Sequence, residues 1–255
     1  MKISVITVAY NSAATIADTL RSVATQTHPD IEHIVIDGAS TDDTLTVVKA
    51  HGKHVQVLVS EPDRGIYDAM NKGLALASGE FVGFLNADDL FASKDSVKLI
   101  VAAAESTACD AVYGDLAYVR ADDVNTVVRL WRGGDFRRSR LRFGWMPPHP
   151  TFYVRREFLS RLGAFDSRMR VAADYELMMR CLVQVAVRTS YVPQLLVRMR
   201  LGGASNASIR ALVRKSREDL HVMRRHRIGG WFTLICKNLR KLPQFIVPAQ
   251  VEQRN

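Results

Sequence analysis

The sequence has few cysteines and no long hydrophobic run. Its three cysteines, Cys109, Cys181 and Cys236, are far apart and fit neither a disulfide framework nor the spacing of a metal site, so we expect a reducing cytosol. No stretch approaches the roughly twenty apolar residues of a transmembrane helix. No signal-peptide pattern is found at the amino terminus either. These absences argue against secreted and membrane-spanning classes of protein.

Acidic residues are scarce in the last part of the chain. From Arg210 to Asn255 eleven Lys/Arg residues accompany only three Asp/Glu, while the whole chain has a net charge of +9. This concentration of basic charge predicts an anionic partner for the tail. We expect an anionic membrane surface and no nucleic acid, because no nucleic-acid-binding motif accompanies the charge.

Short β-rich runs alternate with amphipathic helix patterns in the first half of the chain. This alternation predicts an α/β fold with a doubly wound, mostly parallel central sheet. The predicted strands are Lys2–Val8, His33–Ile36, Val55–Val59 and Phe81–Leu85. The predicted helices run from a cap at Asn11 or Ser12 to Ala24, from a cap at Ser40 or Thr41 toward Ala50, from Ile66 to Ala77, and from a cap at Ser93 to Glu105.

The second half has a less regular pattern, which predicts a mixed lobe on the same domain. Its expected elements are a hairpin of Ala111–Val119 and Thr126–Trp131, a strand at Thr151–Val154, and helices at Arg156–Leu162, Asp174–Cys181 and Ile209–Arg227. We expect one domain over residues 1–205, with a regular first half (1–110) and a less regular second half (111–205). A basic, amphipathic, helical tail would then occupy residues 206–255.

Three of the predicted strands are followed by an acid, namely Asp37, Asp63 and Asp88. Because open α/β sheets bind ligands at the carboxyl ends of their strands, these acids are expected along one binding edge. The apolar run Phe81–Leu85 ends in Asn86 and two adjacent carboxylates, which could hold a divalent cation against a phosphate. The alternative is an ordinary Asx-rich turn.

A set of short motifs, in this order along the chain, resembles the inverting glycosyltransferases of family 2, which have the GT-A fold. In the first half the motifs are Ser4–Asn11, Asp37–Thr44, Asp63–Gly65 with Asn71–Gly73 and Ala77–Glu80, and Leu85–Asp89. In the second half they are His149–Phe152, Gly163–Asp166 and Ala173–Glu176. The later motifs look most like the bacterial exopolysaccharide and colanic-acid type of this family.

The resemblance implies that residues 1–110 form a nucleotide-binding half and residues 111–205 an acceptor half. It also implies roles for individual residues on the donor side. The residues that would line the nucleotide pocket are Thr7, Ala9, Tyr10 and Asn11. Asp37 would accept a hydrogen bond from the base, and Asp63 and Lys72 would lie near the base and the phosphates. Asn86 would orient the ribose or a metal-bound water.

The resemblance also implies a metal ion and a catalytic base. Asp88 would coordinate Mg²⁺ or Mn²⁺ bridging the diphosphate, and Asp174 would take the proton of the acceptor hydroxyl. The chemistry needs both groups, because a hydroxyl is a poor nucleophile and the leaving diphosphate gains negative charge. His149 is a possible contact to the acceptor or to a phosphate, or else a histidine that fills a turn.

Several positions leave alternatives open. The family usually has Asp where this chain has Asn86, which could weaken metal binding; Asp89 could compensate, or it could cap the next helix. Asp174 could also be a helix cap. Glu176 is expected to face solvent or to pair with an arginine, and Asp166 to form local turn hydrogen bonds. Many members carry Arg at Met70, which here is expected to pack in the core.

The sequence therefore predicts a cytosolic glycosyltransferase, peripheral on the inner face of the plasma membrane. It would move a sugar from a nucleotide-diphosphate donor to a saccharide hydroxyl, on a lipid-linked glycan of bacterial polysaccharide biosynthesis. The alternatives are transfer to a polyprenyl phosphate and a non-catalytic nucleotide-binding scaffold. The apolar segments 231–236 and 245–247, with cations between them, would either lie on anionic lipid or pack back on the domain.

Overall fold

The structure, a computed structural model, describes residues 1–202, 209–242 and 244. It contains one sheet with helices packed against it. The strands are β1 (Ile3–Ala9), β2 (Ile31–Asp37), β3 (Val55–Ser60), β4 (Phe81–Phe84), β5 (Leu90–Phe91), β6 (Ala111–Val119), β7 (Val127–Trp131), β8 (Tyr153–Arg155) and β9 (Thr189–Arg200). The helices are α1 (Ile16–Ala24), α2 (Thr44–His51), α3 (Ile66–Leu76), α4 (Ser96–Thr107), α5 (Arg156–Leu162), α6 (Ala173–Leu182), α7 (Ile209–Arg225) and α8 (Trp231–Leu239).

The strand order is β3-β2-β1-β4-β8-β6-β9-β5, and β7 pairs with β6 beside this path. The first four strands are parallel to one another, whereas β8 is antiparallel to both of its neighbours. The order reverses between β1 and β4, and α/β sheets bind ligands at such a switch point. The predicted fold class is therefore confirmed: a parallel, doubly wound first half continues into a mixed lobe.

The central strands are apolar because both faces of the sheet are covered. Every residue of β1 and β4 is buried. Gly83 in β4 is required by this packing, since a Cβ at that position would lie only 2.2 Å from Cε1 of Tyr153 in β8. Met70 is buried in the core, as expected.

The predicted helix caps are wrong. The residues that precede α1, α2 and α4 are Thr15, Asp43 and Asp95, and none of them forms a side-chain cap hydrogen bond. The expected caps are used elsewhere: Asn11 accepts a hydrogen bond from the backbone of Thr41, and the Ser40 hydroxyl bonds to Asp37. These polar side chains therefore stabilise the loops at the strand ends rather than the helix starts.

Two strands, β5 and β9, were not predicted from the sequence. The longer one, β9, contains Pro193 and pairs with β6 through register shifts around Asp115. The irregular pairing obscures the alternation of apolar and polar residues by which a strand is normally identified. Its last residue, Arg200, is mostly buried and becomes part of the site described below.

The described part of the tail packs on the domain along one face. Leu220, Val222 and Met223 of α7 and Leu234 of α8 belong to the main apolar core. The proposed boundary at residue 205 and the apolar segment 245–247 lie outside the described residues. Within the residues that are described, no helix is long and apolar enough to cross a membrane.

Candidate active site at the carboxyl ends of the parallel strands

The carboxyl ends of the first three strands lie side by side. Ala9 in β1 is opposite Asp37 in β2, and Asp37 is opposite Ser60 in β3. This register places Asp37 at the shared edge of the three strands, while Asp63 and Asp88 lie in the loops that follow β3 and β4. Asp37 is fully buried, and its carboxylate accepts hydrogen bonds from the backbone N–H of Ser40 (3.0 Å) and from the hydroxyl of Ser60 (2.7 Å).

Asp63 approaches the loop that follows β2. A Cβ at Gly38 would lie 2.4 Å from its Oδ2 atom, so only glycine at position 38 permits this approach. The other oxygen of Asp63 accepts a hydrogen bond from the backbone N–H of Gly65 (2.7 Å). Lys72 in α3 reaches the same segment, where its ammonium group contacts the carbonyl of Pro62 and the carboxylate of Glu61, each at 2.8 Å.

The residues that follow β1 lie beside the loop after β2. Tyr10 is 63% exposed, and its ring lies 3.4 Å from the Cβ position at Gly38. Asn11 has a positive φ of 50° and accepts a hydrogen bond from the backbone N–H of Thr41 at 2.9 Å. Thr7, in contrast, is fully buried, and its hydroxyl lies 3.0 Å from Nε2 of His33. The exposed tyrosine is thus held against the two acidic loops.

The loop after β4 carries the expected metal residue. Asp88 is half-buried, and burial raises the pKa of its carboxyl group. Arg200, at the end of β9, donates a hydrogen bond to the carbonyl of Asp88 (2.9 Å) and pairs with Asp18 (2.5 Å). Sequence reasoning missed Arg200, because the irregular strand that positions it was not recognised.

Asp89 does not cap the next helix, since Asp95 precedes α4. It is fully buried, and burial together with the charge of Asp88 raises the pKa of its carboxyl well above the usual range. Asn86 donates to one oxygen of Asp89 at 3.4 Å. One oxygen of Asn86 and one of Asp89 have no hydrogen-bond partner among the described residues.

These atoms fit a hard divalent cation. The half-exposed carboxylate of Asp88 and the unpartnered amide oxygen of Asn86 are ligand types that Mg²⁺ and Mn²⁺ accept. No group of three or more His, Cys, Asp or Glu side chains with metal-site geometry occurs in the part of the chain that the structure describes. A cation held here would therefore take most of its ligands from phosphate oxygens and water.

Asp174 lies in the first turn of α6, where the helix dipole favours a negative charge. The residue that precedes the helix is Ala172, so the interpretation of Asp174 as a cap is wrong. Asp174 is half-buried, and the hydroxyl of Tyr67 lies 3.2 Å from its Oδ1 atom and 2.8 Å from the carbonyl of Val171. Burial and the Asp174 carboxylate raise the pKa of Tyr67, which keeps this hydroxyl protonated.

An aromatic cluster connects α3 and β4 to the second half of the chain. Phe165 stacks on Tyr67 with ring centroids 5.7 Å apart and meets Phe84 of β4 edge-on at 5.0 Å. His149 stacks on Phe84 at 6.0 Å. Burial lowers the pKa of His149, while the nearby charge of Asp174 acts in the opposite direction. His149 is therefore close to both β4 and Asp174. No local sequence signal identified Tyr67.

The tail supports the loop before Asp174. Glu218 in α7 accepts hydrogen bonds from the backbone N–H groups of Arg170 (3.1 Å), Val171 (2.9 Å) and Ala172 (2.8 Å). Glu176 is fully buried, so the alternative in which it faces solvent is wrong. The alternative in which it pairs with an arginine is confirmed, because its carboxylate pairs with Arg180 at 2.7 Å. It also pairs with His226 of the tail at 3.1 Å.

Asp166 does form the local turn hydrogen bonds expected of it, because its Oδ1 atom accepts from the backbone N–H of Arg168 at 3.2 Å. Its carboxylate also pairs with Arg225 of α7 at 3.4 Å. The loop between α5 and α6 is thus fixed to the tail helix at a second point.

Comparison with known proteins defines the class of protein. Residues 4–163 match glycosyl transferase family 2, so the chain belongs to this family and is a glycosyltransferase. It is 33% identical over 211 residues to a PGL/p-HBAD biosynthesis glycosyltransferase of Mycobacterium tuberculosis, covering 81% of this chain and 80% of that protein.

Solved structures of low sequence identity support the fold. Residues 1–349 of S. aureus TarS, in complex with UDP-GlcNAc, match with a TM-score of 0.69 and 22% identity, covering 96% of this chain and 72% of that one. The mannosyltransferase PcManGT from Pyrobaculum calidifontis, in complex with GDP-Man and Mn²⁺, matches with a TM-score of 0.66 and 22% identity, covering 96% and 73%. The fold is therefore GT-A-like.

Proposed function

We propose that this glycosyltransferase transfers a sugar from a nucleotide-diphosphate sugar to a saccharide hydroxyl, with inversion at the anomeric carbon and dependence on a divalent metal ion. The observation that carries the proposal is the position of Asp174. Its carboxylate is half-buried at the start of α6, contacts Tyr67, and is linked by aromatic side chains to the strand that ends in the metal loop. Two structural neighbours with donor nucleotide sugars bound support the donor class.

The donor would occupy the wall built from the ends of β1, β2 and β3. The ring of Tyr10 offers a stacking surface, and the backbone of the loops around Asn11 and Asp37 offers hydrogen-bonding groups to the base and ribose. Asp63 and Lys72 would lie near the base and the phosphates. Thr7 and Ala9 are buried in β1 behind this wall, so they would support it rather than contact the nucleotide. Asn86 would lie beside it, in the loop after β4.

Asp88, with the amide oxygen of Asn86, would hold Mg²⁺ or Mn²⁺. A bound cation would offset the negative charge that develops on the leaving diphosphate. The loop after β4 is fixed by two hydrogen bonds. Arg200 donates one to the carbonyl of Asp88, and Asn86 donates the other to the buried carboxylate of Asp89.

Asp174 would act as the general base. As the acceptor oxygen forms its bond to the anomeric carbon, its proton passes to Asp174, and the bond from that carbon to the phosphate oxygen breaks on the opposite face. The electron pair of the broken bond leaves with the nucleoside diphosphate. Such base catalysis contributes about 10²–10⁴-fold to the rate. Neutral His149 would contact the acceptor or a phosphate beside it.

We further propose that the acceptor is lipid-linked, as part of bacterial glycan or glycolipid biosynthesis at the inner face of the plasma membrane. The outer face of α8 supports this proposal. Its apolar residues are exposed to solvent, whereas the cation Lys237 on the same helix is buried. We define the exposed residues as the apolar patch, namely Phe143, Trp231, Phe232, Ile235, Leu239 and Leu242. Arg240 and Lys241 border it, as expected of a helix that lies on anionic lipid.

A panel of nucleoside diphosphates tests the donor site. We would measure the melting temperature with UDP, GDP, ADP, CDP and TDP, each with and without Mn²⁺. The proposal predicts that one nucleotide raises the melting temperature and that the rise requires the metal. If no nucleotide changes the melting temperature of folded protein, the donor-site assignment is wrong and a non-catalytic scaffold becomes the better account.

A further inference from the structure

A pocket lined by cations lies on the acceptor side of the molecule. It is formed between β7, the segment 144–146 and the carboxyl end of α8. The cationic residues that line it are Arg129, Arg132, Lys237, Arg240 and Lys241, and no Asp or Glu is among the lining residues. None of the lining residues comes from the nucleotide-binding half, so this pocket is distinct from the donor wall.

The positive charge in the pocket is only partly neutralised. Lys237 is buried and pairs with Asp219 at 2.8 Å. Arg132, Arg240 and Lys241 form no ion pair with a carboxylate of the described residues. Arg132 and Arg240 are exposed and Lys241 is half-buried, so their charges face the pocket and its opening, where a bound anion would be attracted.

The ionisation of Lys241 reflects the same surplus of charge. Burial, with the neighbouring cations Lys215, Lys237 and Arg129, lowers the pKa of Lys241 to about 8, and Asp219 only partly offsets this effect. A ligand with two or more negative charges would stabilise the protonated amine. Arginine side chains in the lining suit a phosphate in particular, because the guanidinium fork matches phosphate oxygens.

Lys237, which lines the pocket, contacts α6, the helix that carries Asp174. The ammonium group of Lys237 lies over the ring of Tyr175 at 3.4 Å, and Tyr175 directly follows Asp174. On the other side Arg129 lies over the ring of Tyr118 at 4.3 Å. Burial raises the pKa of Tyr118, and the charges of Asp89 and Asp174 act in the same direction. The pocket and Asp174 therefore lie on neighbouring parts of the same half of the chain.

We propose that this pocket binds a phosphate group of the acceptor, either a phosphate or a diphosphate ester close to the sugar that is glycosylated. This inference rests on the proposed function, because it assumes that Asp174 marks the acceptor hydroxyl. Arg240 and Lys241 belong both to the pocket lining and to the border of the apolar patch. The acceptor's phosphate would then be held in the protein while its lipid chain meets the membrane.

The test is calorimetric titration of the full chain with inorganic pyrophosphate, in EDTA so that no metal-dependent diphosphate binding contributes. The pocket variant is Arg132→Gln with Lys241→Gln. The control, Arg137→Gln with Arg138→Gln, removes the same charge from exposed positions outside the pocket. We expect wild type and control to bind alike and the pocket variant to bind about tenfold or more weakly, since charge-assisted contacts are the strong ones. Equal binding by all three proteins, or binding by none, would overturn the proposal.

Two further measurements are needed. One distinguishes a phosphate of the bilayer from a phosphate of the acceptor, and the other distinguishes failure of the pocket proposal from failure of the proposed donor site. If the pocket variant loses binding to phosphatidylglycerol vesicles but keeps its affinity for pyrophosphate, the cations serve the bilayer and the proposal fails. The metal-dependent nucleotide shift is measured on the same proteins. An intact shift without pyrophosphate binding refutes only the pocket, whereas pyrophosphate binding without any nucleotide shift refutes the donor site and leaves an anion pocket.

Discussion

The hydroxyl of Tyr67 in α3 lies 3.2 Å from the carboxylate of Asp174 in α6, although 107 residues separate them in sequence. This contact joins residues 1–110, the proposed nucleotide-binding half, to residues 111–205, the proposed acceptor half, at the proposed base. Because burial keeps the phenol protonated, it can donate to Asp174 and restrict the orientation of the carboxylate.

Removal of this hydroxyl is expected to slow turnover without weakening donor binding. Tyr67→Phe should lower kcat by about 10- to 100-fold, because one hydrogen bond to a charged group contributes roughly 1.5–3 kcal/mol. The matched control is Tyr153→Phe, because that buried hydroxyl has no hydrogen-bond partner among the described residues. Steady-state kinetics with varied donor would check this. An unchanged kcat in Tyr67→Phe would show that the contact does not serve catalysis.

The tail helix is expected to affect turnover through Glu218. Glu218→Ala removes the acceptor for three backbone N–H groups just before Asp174, so both stability and kcat should fall. The stability loss should be about 1–3 kcal/mol. Glu157→Ala is the control, since this residue forms only an exposed pair with Arg161. A loss of stability with kcat unchanged in the folded protein would mean that Glu218 does not position the base.

Acid sensitivity is expected from Glu32, which joins β2 to Lys2, Ser4 and Ser78. Burial alone would raise its pKa, but hydrogen bonds from these partners outweigh burial and lower it from 4.5 to about 2. The contribution of Glu32 is therefore complete above pH 4.5 and lost as the pH falls through about 2.

Glu32→Gln should accordingly lower the free energy of unfolding at pH 7 by about 3 kcal/mol and flatten its dependence between pH 5 and 2. Urea unfolding at several pH values would measure this. The exposed Glu80→Gln serves as control. If both variants show the same acid sensitivity as wild type, the hydrogen-bonded cluster does not account for it.

The apolar patch is expected to carry membrane binding. Trp231→Ser with Phe232→Ser removes two side chains that are 62% and 64% exposed, so the fold should persist while binding to anionic vesicles falls about tenfold or more. Val185→Ser is the control, because Val185 is 93% exposed but lies outside the patch. Co-sedimentation with vesicles checks the result. Equal sedimentation of all three proteins would exclude the patch as the membrane contact.

Much of the donor half could be predicted from the sequence. Regular alternation of strands and helices implies parallel strands, and the carboxyl ends of parallel strands meet at one edge. This reasoning predicted from the sequence alone that Asp37 and Asp63 lie at the carboxyl-end edge of the sheet. It failed for the helix caps, because Asn11 and Ser40 bond to neighbouring loops instead.

The acceptor half was less predictable, since its contacts are long-range. Arg200 reaches the metal loop from an irregular strand, and Glu218 supports the base from the tail. Neither residue has a local sequence pattern that indicates its partner. Helix α8 buries the cation Lys237 and exposes the apolar side chain of Trp231. Lys237 pairs with Asp219 of α7, and the sequence does not indicate this long-range contact.

The most direct test of the central claim is the rate of sugar transfer by Asp174→Asn, measured beside the metal-dependent nucleotide shift of the same protein. Asn keeps the shape of the side chain and can still accept from Tyr67, but it cannot take a proton. We predict that transfer falls by about 10²–10⁴-fold while the nucleotide shift stays at the wild-type value. Transfer at the wild-type rate by folded Asp174→Asn would contradict the assignment of the base.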